Sequence, residues 1–544
     1  WLDYVSLLFV IGVSFMIGLY YGFFKKNQNS VIEYMFGGKK MPIIPVSLSI
    51  MASTISNITL ISWSSEIYYY GGVIIFLALG QMTSIVLIYF FYLPVFYHLE
   101  YTSLFEYLER RFNKSFRNIG SVIYLITQIF YVMIIMYAAS TAVTQATKIP
   151  YNMFTPLLCL ICTIYTVLGG VRGVIWTDFL QTVFMFVSVI VVIILGVQKF
   201  DNGIADIFSI SHKGGRLDFL SFDLNPFVRN TPWIEYIAAI VLNTLTFGIN
   251  PGVMQRYLSL PSFTKAKKVA IISGSLTFLI MTLAMFLGWV IYAYYHDCDP
   301  SMSQALRDRN QLVTYYIRDV LKDVPGLTGL FLAGILSAAL SSMSTIMNVF
   351  SGTIFEDLVK PLLPWELTDA QSSLCIKCIA VVFGITISFG IFGLNAIGGI
   401  FQAAIAGALA GLVTTFWIGT GNLAAISSGR IQYSTRVLSI EGCHGNVTEL
   451  LGLNSTTTGS SHYSTPVMFA DDVPYIYRIS FNLLAPLGLT ISVVVAFLVS
   501  LITNNGMVVE EKLLIPQIRK NYTNCTMNCD NIQCQEMDHI VYSE

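Results

Sequence analysis

The stretch Gly334-Ile335-Leu336-Ser337-Ala338-Ala339-Leu340-Ser341-Ser342-Met343-Ser344-Thr345 carries hydroxyls inside an apolar segment long enough to cross a bilayer. Lipid hydrates hydroxyls poorly, so such groups turn toward a protein interior or a cavity. Ser341 and Ser342 are neighbours, and Ala338 lies one helical turn earlier on a similar face. Two hydroxyls and a carbonyl there make half a shell for a small hard cation, which prefers oxygen ligands. Small-residue helix packing enriches the same residue types and, for this stretch alone, is the simpler explanation.

A second segment changes the balance. Ser47-Leu48-Ser49-Ile50-Met51-Ala52-Ser53-Thr54-Ile55-Ser56-Asn57-Ile58-Thr59 is too polar for a lipid-facing helix. A polar segment at mid-membrane depth implies a discontinuous helix whose unpaired carbonyls can coordinate an ion. In a transporter built from two inverted repeats, two such elements meet at a shared midplane site. Taken together, the two segments favour an ion site over packing.

The elements that must position these groups follow from composition. The 544 residues are 55% hydrophobic and only 11% charged, against roughly 25% charged in soluble domains. Spans are expected at 4–24, 43–70, 73–98, 119–147, 153–170, 175–198, 233–256, 269–296, 325–359, 373–393, 396–419 and 480–503. The chain therefore reads as an all-α polytopic membrane protein. Its net charge of −1 says nothing about partners, no basic patch points to nucleic acid and none is expected, and the lipid bilayer is its surrounding. Clusters of Lys and Arg follow every second span from the first, which places the N-terminus outside. No nucleophile–base set or metal cluster falls within the spans, so an enzyme is excluded and no cofactor is expected.

Cys159 with Cys162, and Cys375 with Cys378, form C-x-x-C pairs that read as packing, and the nine cysteines do not make a disulfide scaffold. Residues 426–478 are polar and contain the sequons at Asn446 and Asn454, which mark an extracellular glycosylated loop. Residues 504–544 form a cytoplasmic tail. The sequon at Asn57 is buried in a span and carries no sugar.

Five further segments, in order, resemble the sodium/solute symporter family. Within it they resemble the branch of sodium-coupled monocarboxylate, multivitamin and iodide transporters. They are Ser65-Glu66-Ile67-Tyr68 with Gly71; Tyr101 to Phe112; Tyr165 to Gly170 running on to Trp176-Thr177-Asp178; Gln255-Arg256-Tyr257; and Phe355-Glu356-Asp357-Leu358. The resemblance implies two inverted five-helix repeats with discontinuous helices, plus flanking helices. The transmembrane symporter domain would cover 1–503, with core repeats about 43–198 and 233–419. It also implies a sodium site in which Ala52, Ile55 and Ala338 give carbonyls and Ser341 and Ser342 give hydroxyls.

By the same resemblance Asp178 is an acid near the sodium exit route; a structural pairing with Arg172 is its competing role. Tyr137, Asn250 and Gln402 correspond to groups facing the substrate cavity, with helix packing as the alternative. Asn57, Thr59 and Trp63 line the polar segment and are further substrate contacts. The implied activity is sodium-coupled import of a small organic anion, monocarboxylate-like, across the plasma membrane by alternating access. Iodide or a vitamin of the biotin or pantothenate kind is the alternative cargo.

Departures from the family pattern are as informative. Pro251 follows Asn250 where an amide is usual, which kinks the seventh span. No Lys or Arg is expected within the core to pair with a carboxylate. Residues 373–419 are too few for the three spans that the family places there, and Phe401 to Ala406 runs directly into Gly407. With only two spans there, an outside N-terminus would put the sequon loop inside and the tail outside, against the sequons. A transport-deficient sensor or isoform lacking one core helix is therefore a rival reading.

Overall fold

The computed structural model describes residues 2–24, 30–99, 101–147, 151–219, 223–302, 306, 311–320, 326–363, 365–397, 409–433, 435–436, 438–439, 462–463, 468–470 and 472–491. Its helices, in chain order, are α1 (Leu2–Leu19), α2 (Val31–Phe36), α3 (Ile43–Thr54), α4 (Asn57–Tyr70), α5 (Ile75–Leu87), α6 (Leu93–Leu99), α7 (Glu106–Arg111), α8 (Lys114–Thr147) and α9 (Tyr151–Val197). They continue as α10 (Ile204–Lys213), α11 (Pro232–Gly248), α12 (Pro251–Leu258), α13 (Phe263–Tyr294), α14 (Leu312–Val320), α15 (Leu327–Thr353), α16 (Asp369–Ile397) and α17 (Leu409–Ser427). Four two-residue strands follow: β1 (Ile431–Gln432) pairs antiparallel with β4 (Met468–Phe469), and β2 (Leu438–Ser439) with β3 (His462–Tyr463). Among the described residues, seven helices are long and apolar enough to cross a membrane, and two bent pairs each make a further span.

The sequence explains both bends. At the end of α3, Ser53 Oγ and Thr54 Oγ1 donate to the Ile50 carbonyl, each at 3.0 Å. These local bonds compete with continuation of the helix. Ser56 then caps α4, its hydroxyl accepting from the Thr59 N–H, and the two halves diverge by 58°. The second bend, 50° between α11 and α12, falls where Pro251 removes a donor and fits the first position of a new helix. Each repeat thus opens with a broken span.

The long α9 is two spans rather than one. At about 1.5 Å per residue it would be more than twice a bilayer's thickness if straight. It breaks at Gly170, where φ is 54° and ψ −162°. A β-carbon there would sit 2.9 Å from the Tyr34 ring, so glycine is needed for both backbone and space. This matches the expected division between 153–170 and 175–198.

At the centre lies α15, packed against α1, α3, α8, α9 and α16. Of its most apolar window 94% is buried, which leaves it no lipid-facing stripe. Its hydroxyls are therefore interior groups.

The far end of the second repeat departs from the first. Helix α16 starts near Tyr34, with Ile376 in one apolar cluster with it, and climbs past Met133 toward the Tyr70 end of the bundle. Helix α17 also ends at the Tyr70 end, where Ala425 and Ile431 pack with Tyr70. The fifth helix of an inverted repeat must run the other way. Among the described residues, α16 and α17 lie between Asp357 and β1; the junction at 406–407, where a span was expected to be missing, lies outside the described residues.

Cys159, Cys162, Cys375 and Cys378 are free, while Cys298 is disulfide-bonded, a staple on the loop side. Its spacing from other cysteines carried no signal, because its surroundings are assembled by tertiary contacts: the Asp299 N–H donates to the Ser439 carbonyl at 2.9 Å. The C-x-x-C pair does read as packing. Cys159 and Cys162 are buried, and the Cys162 thiol lies 3.8 Å from the Leu340 carbonyl.

Candidate sodium and solute site

The break after Thr54 removes the donors that a continuous helix would offer its last carbonyls, Ala52 among them. Ala52 is fully buried and Ile55 nearly so, in extended conformation with φ −99° and ψ 111°. Across from α3, Ala338, Ser341 and Ser342 are fully buried on α15. Ser342 Oγ donates to the Ala338 carbonyl at 3.0 Å, which holds two of the expected ligand oxygens side by side. Ser341 Oγ is buried and makes no hydrogen bond of normal geometry. A buried hydroxyl left under-satisfied is unfavourable by about 1–3 kcal/mol, so its oxygen is available to a cation.

Below this point a polar network leads toward the Gly170 end. Asp178 Oδ2 accepts from Ser49 Oγ at 2.7 Å and from Arg256 Nη2 at 2.8 Å. Arg256 Nε donates to Ser49 Oγ at 2.6 Å, and its Nη2 also reaches Thr345 Oγ1. Thr345 Oγ1 in turn donates to the Ser341 carbonyl at 2.7 Å. The Ser341 side chain also approaches Asp178 as a hydrogen-bonding neighbour, although neither Ser341 Oγ nor Asp178 Oδ1 makes a hydrogen bond of normal geometry. One ion pair therefore ties α3, the second half of α9, α12 and α15 together beside the Ser341 hydroxyl.

Two sequence expectations are corrected by this pair. Arg256, counted among solvent-facing basic residues, is 1% exposed, so the core does contain a cation. Asp178 does not pair with Arg172, which instead bridges Glu33 and donates to the Gly37 carbonyl. Asp178 selects Arg256 because the broken span carries that side chain inward.

The expected solute contacts divide. Asn57, the first residue of α4, is fully buried, and neither its carbonyl oxygen nor its amide nitrogen has a partner. Thr59 is engaged with Ser56, hydroxyl to hydroxyl at 2.8 Å. Trp63 and Tyr137 are half-buried against the main apolar core. Asn250 caps α12, its Oδ1 accepting from the Gly252 N–H at 2.8 Å. Gln402, Asn446 and Asn454 lie outside the described residues. Two buried amides went unnoticed in the sequence, Gln81 on α5 and Asn348 on α15, each with both amide atoms unpartnered. A single amide in an apolar run was the one signal available.

A family model for the sodium:solute symporter family matches residues 34–418. The chain belongs to that family. It is 32% identical to the human sodium-coupled monocarboxylate transporter 1 over 537 residues, covering 92% of this chain and 87% of the relative. To the sodium-dependent multivitamin transporter of Oryctolagus cuniculus it is 30% identical over 534 residues, covering 92% and 82%. Among solved structures, a substrate-bound outward-open Na+-coupled sialic acid symporter superposes with a TM-score of 0.72 at 23% identity, covering 91% of this chain and 96% of that one. The fold is that of Na+ symporters built from two inverted five-helix repeats. The protein is a transporter rather than an enzyme, and sodium is its coupling ion.

Proposed function

We propose that this symporter imports a small organic anion, monocarboxylate-like, across the plasma membrane by alternating access. The supporting observation is the Ser341 hydroxyl, buried opposite the break in the first repeat, beside Asp178 and without a hydrogen bond of normal geometry. Sodium held by Ala52, Ile55, Ala338, Ser341 and Ser342 joins the broken span to α15. Asn57 supports the choice of an anion. It opens a half-helix, where free N–H groups and the helix dipole favour negative charge, and its amide adds a donor. Arg256 is already paired with Asp178 and is not available to the cargo. The names of the monocarboxylate relatives point the same way.

A tenfold sodium gradient supplies about 1.4 kcal/mol per sodium. The membrane potential, worth roughly as much at ~60 mV for each net charge moved, adds to this only when a second sodium accompanies the anion. In the same reading the loop 426–478 is extracellular and glycosylated at Asn446 and Asn454, and the tail 504–544 is cytoplasmic. Uptake of labelled lactate into proteoliposomes tests the proposal. Accumulation should disappear when external sodium is replaced by choline; uptake indifferent to that exchange would refute it.

The direction of α17 favours a second reading, a sodium-binding protein that does not transport. It predicts a sodium-dependent change in tryptophan fluorescence without solute accumulation.

A further inference from the structure

Away from the sodium site, Glu235 is a buried carboxyl to which the transport cycle assigns no role. It lies in the first turn of α11 and is 1% exposed. Its Oε1 accepts from Asn482 Nδ2 at 2.6 Å, while its Oε2 is buried with no partner. The nearest cation is committed elsewhere. Arg229 forms a two-point pair with Glu66, Nε to Oε1 at 2.9 Å and Nη2 to Oε2 at 3.0 Å, and is enclosed by the rings of Tyr70, Phe481 and Tyr433.

The charges facing Glu235 are therefore Glu66 from α4 and Arg229 from the preceding segment, which cancel. Asn482 is its neutral neighbour from the C-terminal side, and α5, packed along α11, carries no charged residue. An ionised Glu235 would be an uncompensated buried charge with one bare oxygen. That arrangement is disfavoured by several kcal/mol. Two acceptors wait in the same turn. Thr231 Oγ1, which makes no capping bond, and Asn230 Oδ1 are both buried and unpartnered. Thr231, the extended residue just before α11, stands four residues ahead of Glu235, and its carbonyl accepts the Glu235 N–H at 3.0 Å.

We propose that Glu235 is a proton-binding site, with Oε2–H donating to Thr231 Oγ1 while Oε1 holds Asn482. The proton supplies the donor that the turn lacks and removes the unbalanced charge. It fastens the outer half of the second broken span to the segment around Asn482. Loss of the proton loosens that seam.

The test is infrared spectroscopy of the full chain in nanodiscs, which reads protonated carboxyls directly and needs neither sodium nor cargo. Wild type should show a protonated-acid carbonyl band at neutral pH that fades in alkali, and Glu235→Gln should lack it. Thr231→Val should keep the band but lose it at lower pH, because the proton's acceptor is gone. Spectra of wild type and Glu235→Gln that superimpose at every pH would overturn the proposal. So would a Thr231→Val band that titrates as in wild type. A failure of lactate uptake leaves this measurement unaffected.

Discussion

Each repeat begins with a span that stops in mid-membrane and resumes at an asparagine, but the two asparagines are used differently. In the first repeat Ser56 takes the capping role, so the amide of Asn57 is left buried and unpartnered. In the second the asparagine is itself the cap: Asn250 Oδ1 holds the Gly252 N–H, and Pro251 follows directly. The same residue type is a waiting ligand in one place and a structural clasp in the other. What decides between them is the residue just before the new helix. Under the proposed function, solute recognition falls to the first break and mechanical continuity to the second.

The largest effect is expected where the second break is anchored. Arg256→Ala leaves Asp178 charged and unpaired in the core and should lower stability by about 3–5 kcal/mol, read as a fall in the melting temperature of detergent-solubilised protein. Wild-type melting would detach the second break from its anchoring role. Next come the oxygens facing the first break. Ser341→Ala with Ser342→Ala removes two interactions with a charged ligand, each worth roughly 1.5–3 kcal/mol. Half-saturation by sodium should rise at least tenfold, measured by sodium-dependent fluorescence. An unchanged sodium curve would remove the ion from this place.

Asn57→Ala tests the waiting amide. The solute half-saturation should rise by roughly tenfold, the value of one hydrogen bond to a charged group, while the sodium curve moves little. Equal shifts in both curves would erase the division of labour. The smallest effect belongs to the clasp. Asn250→Ala forfeits one helix cap, about 1 kcal/mol, and should lower the melting temperature slightly without altering solute half-saturation. A large change in solute affinity would make the two asparagines alike after all.

Much of this geometry was legible in the residues. Ser53, Thr54 and Ser56 announce the first break, because short hydroxyl side chains bond the local backbone in place of the next turn. Pro251 announces the second, and the glycine pair at 169–170 announces the return of α9. Arg256 was not legible. It stands in sequence beside Lys265, Lys267 and Lys268, and a basic residue at the end of an apolar run reads as solvent-facing. Only the approach of Ser49 and Asp178, distant along the chain, gives it a buried partner. Gln81 and Asn348 escaped for a related reason: an amide's value as a ligand lies in the partners it lacks, and sequence does not display those.

The first helix carries a consequence of its own. Gly18 lies so close to Tyr165, and Gly22 to Leu168, that any side chain there would collide with the first half of α9. At its other end, Asp3 Oδ1 accepts from the Gly329 N–H at 2.9 Å and Ser6 donates to the Gly326 carbonyl, both at the start of α15. Helix α1 is therefore a strap buckled to one member of each repeat. When the two halves rock, this peripheral helix has to be carried along with one of them or slip its buckle at the other, and the glycine side leaves it the less room to slide.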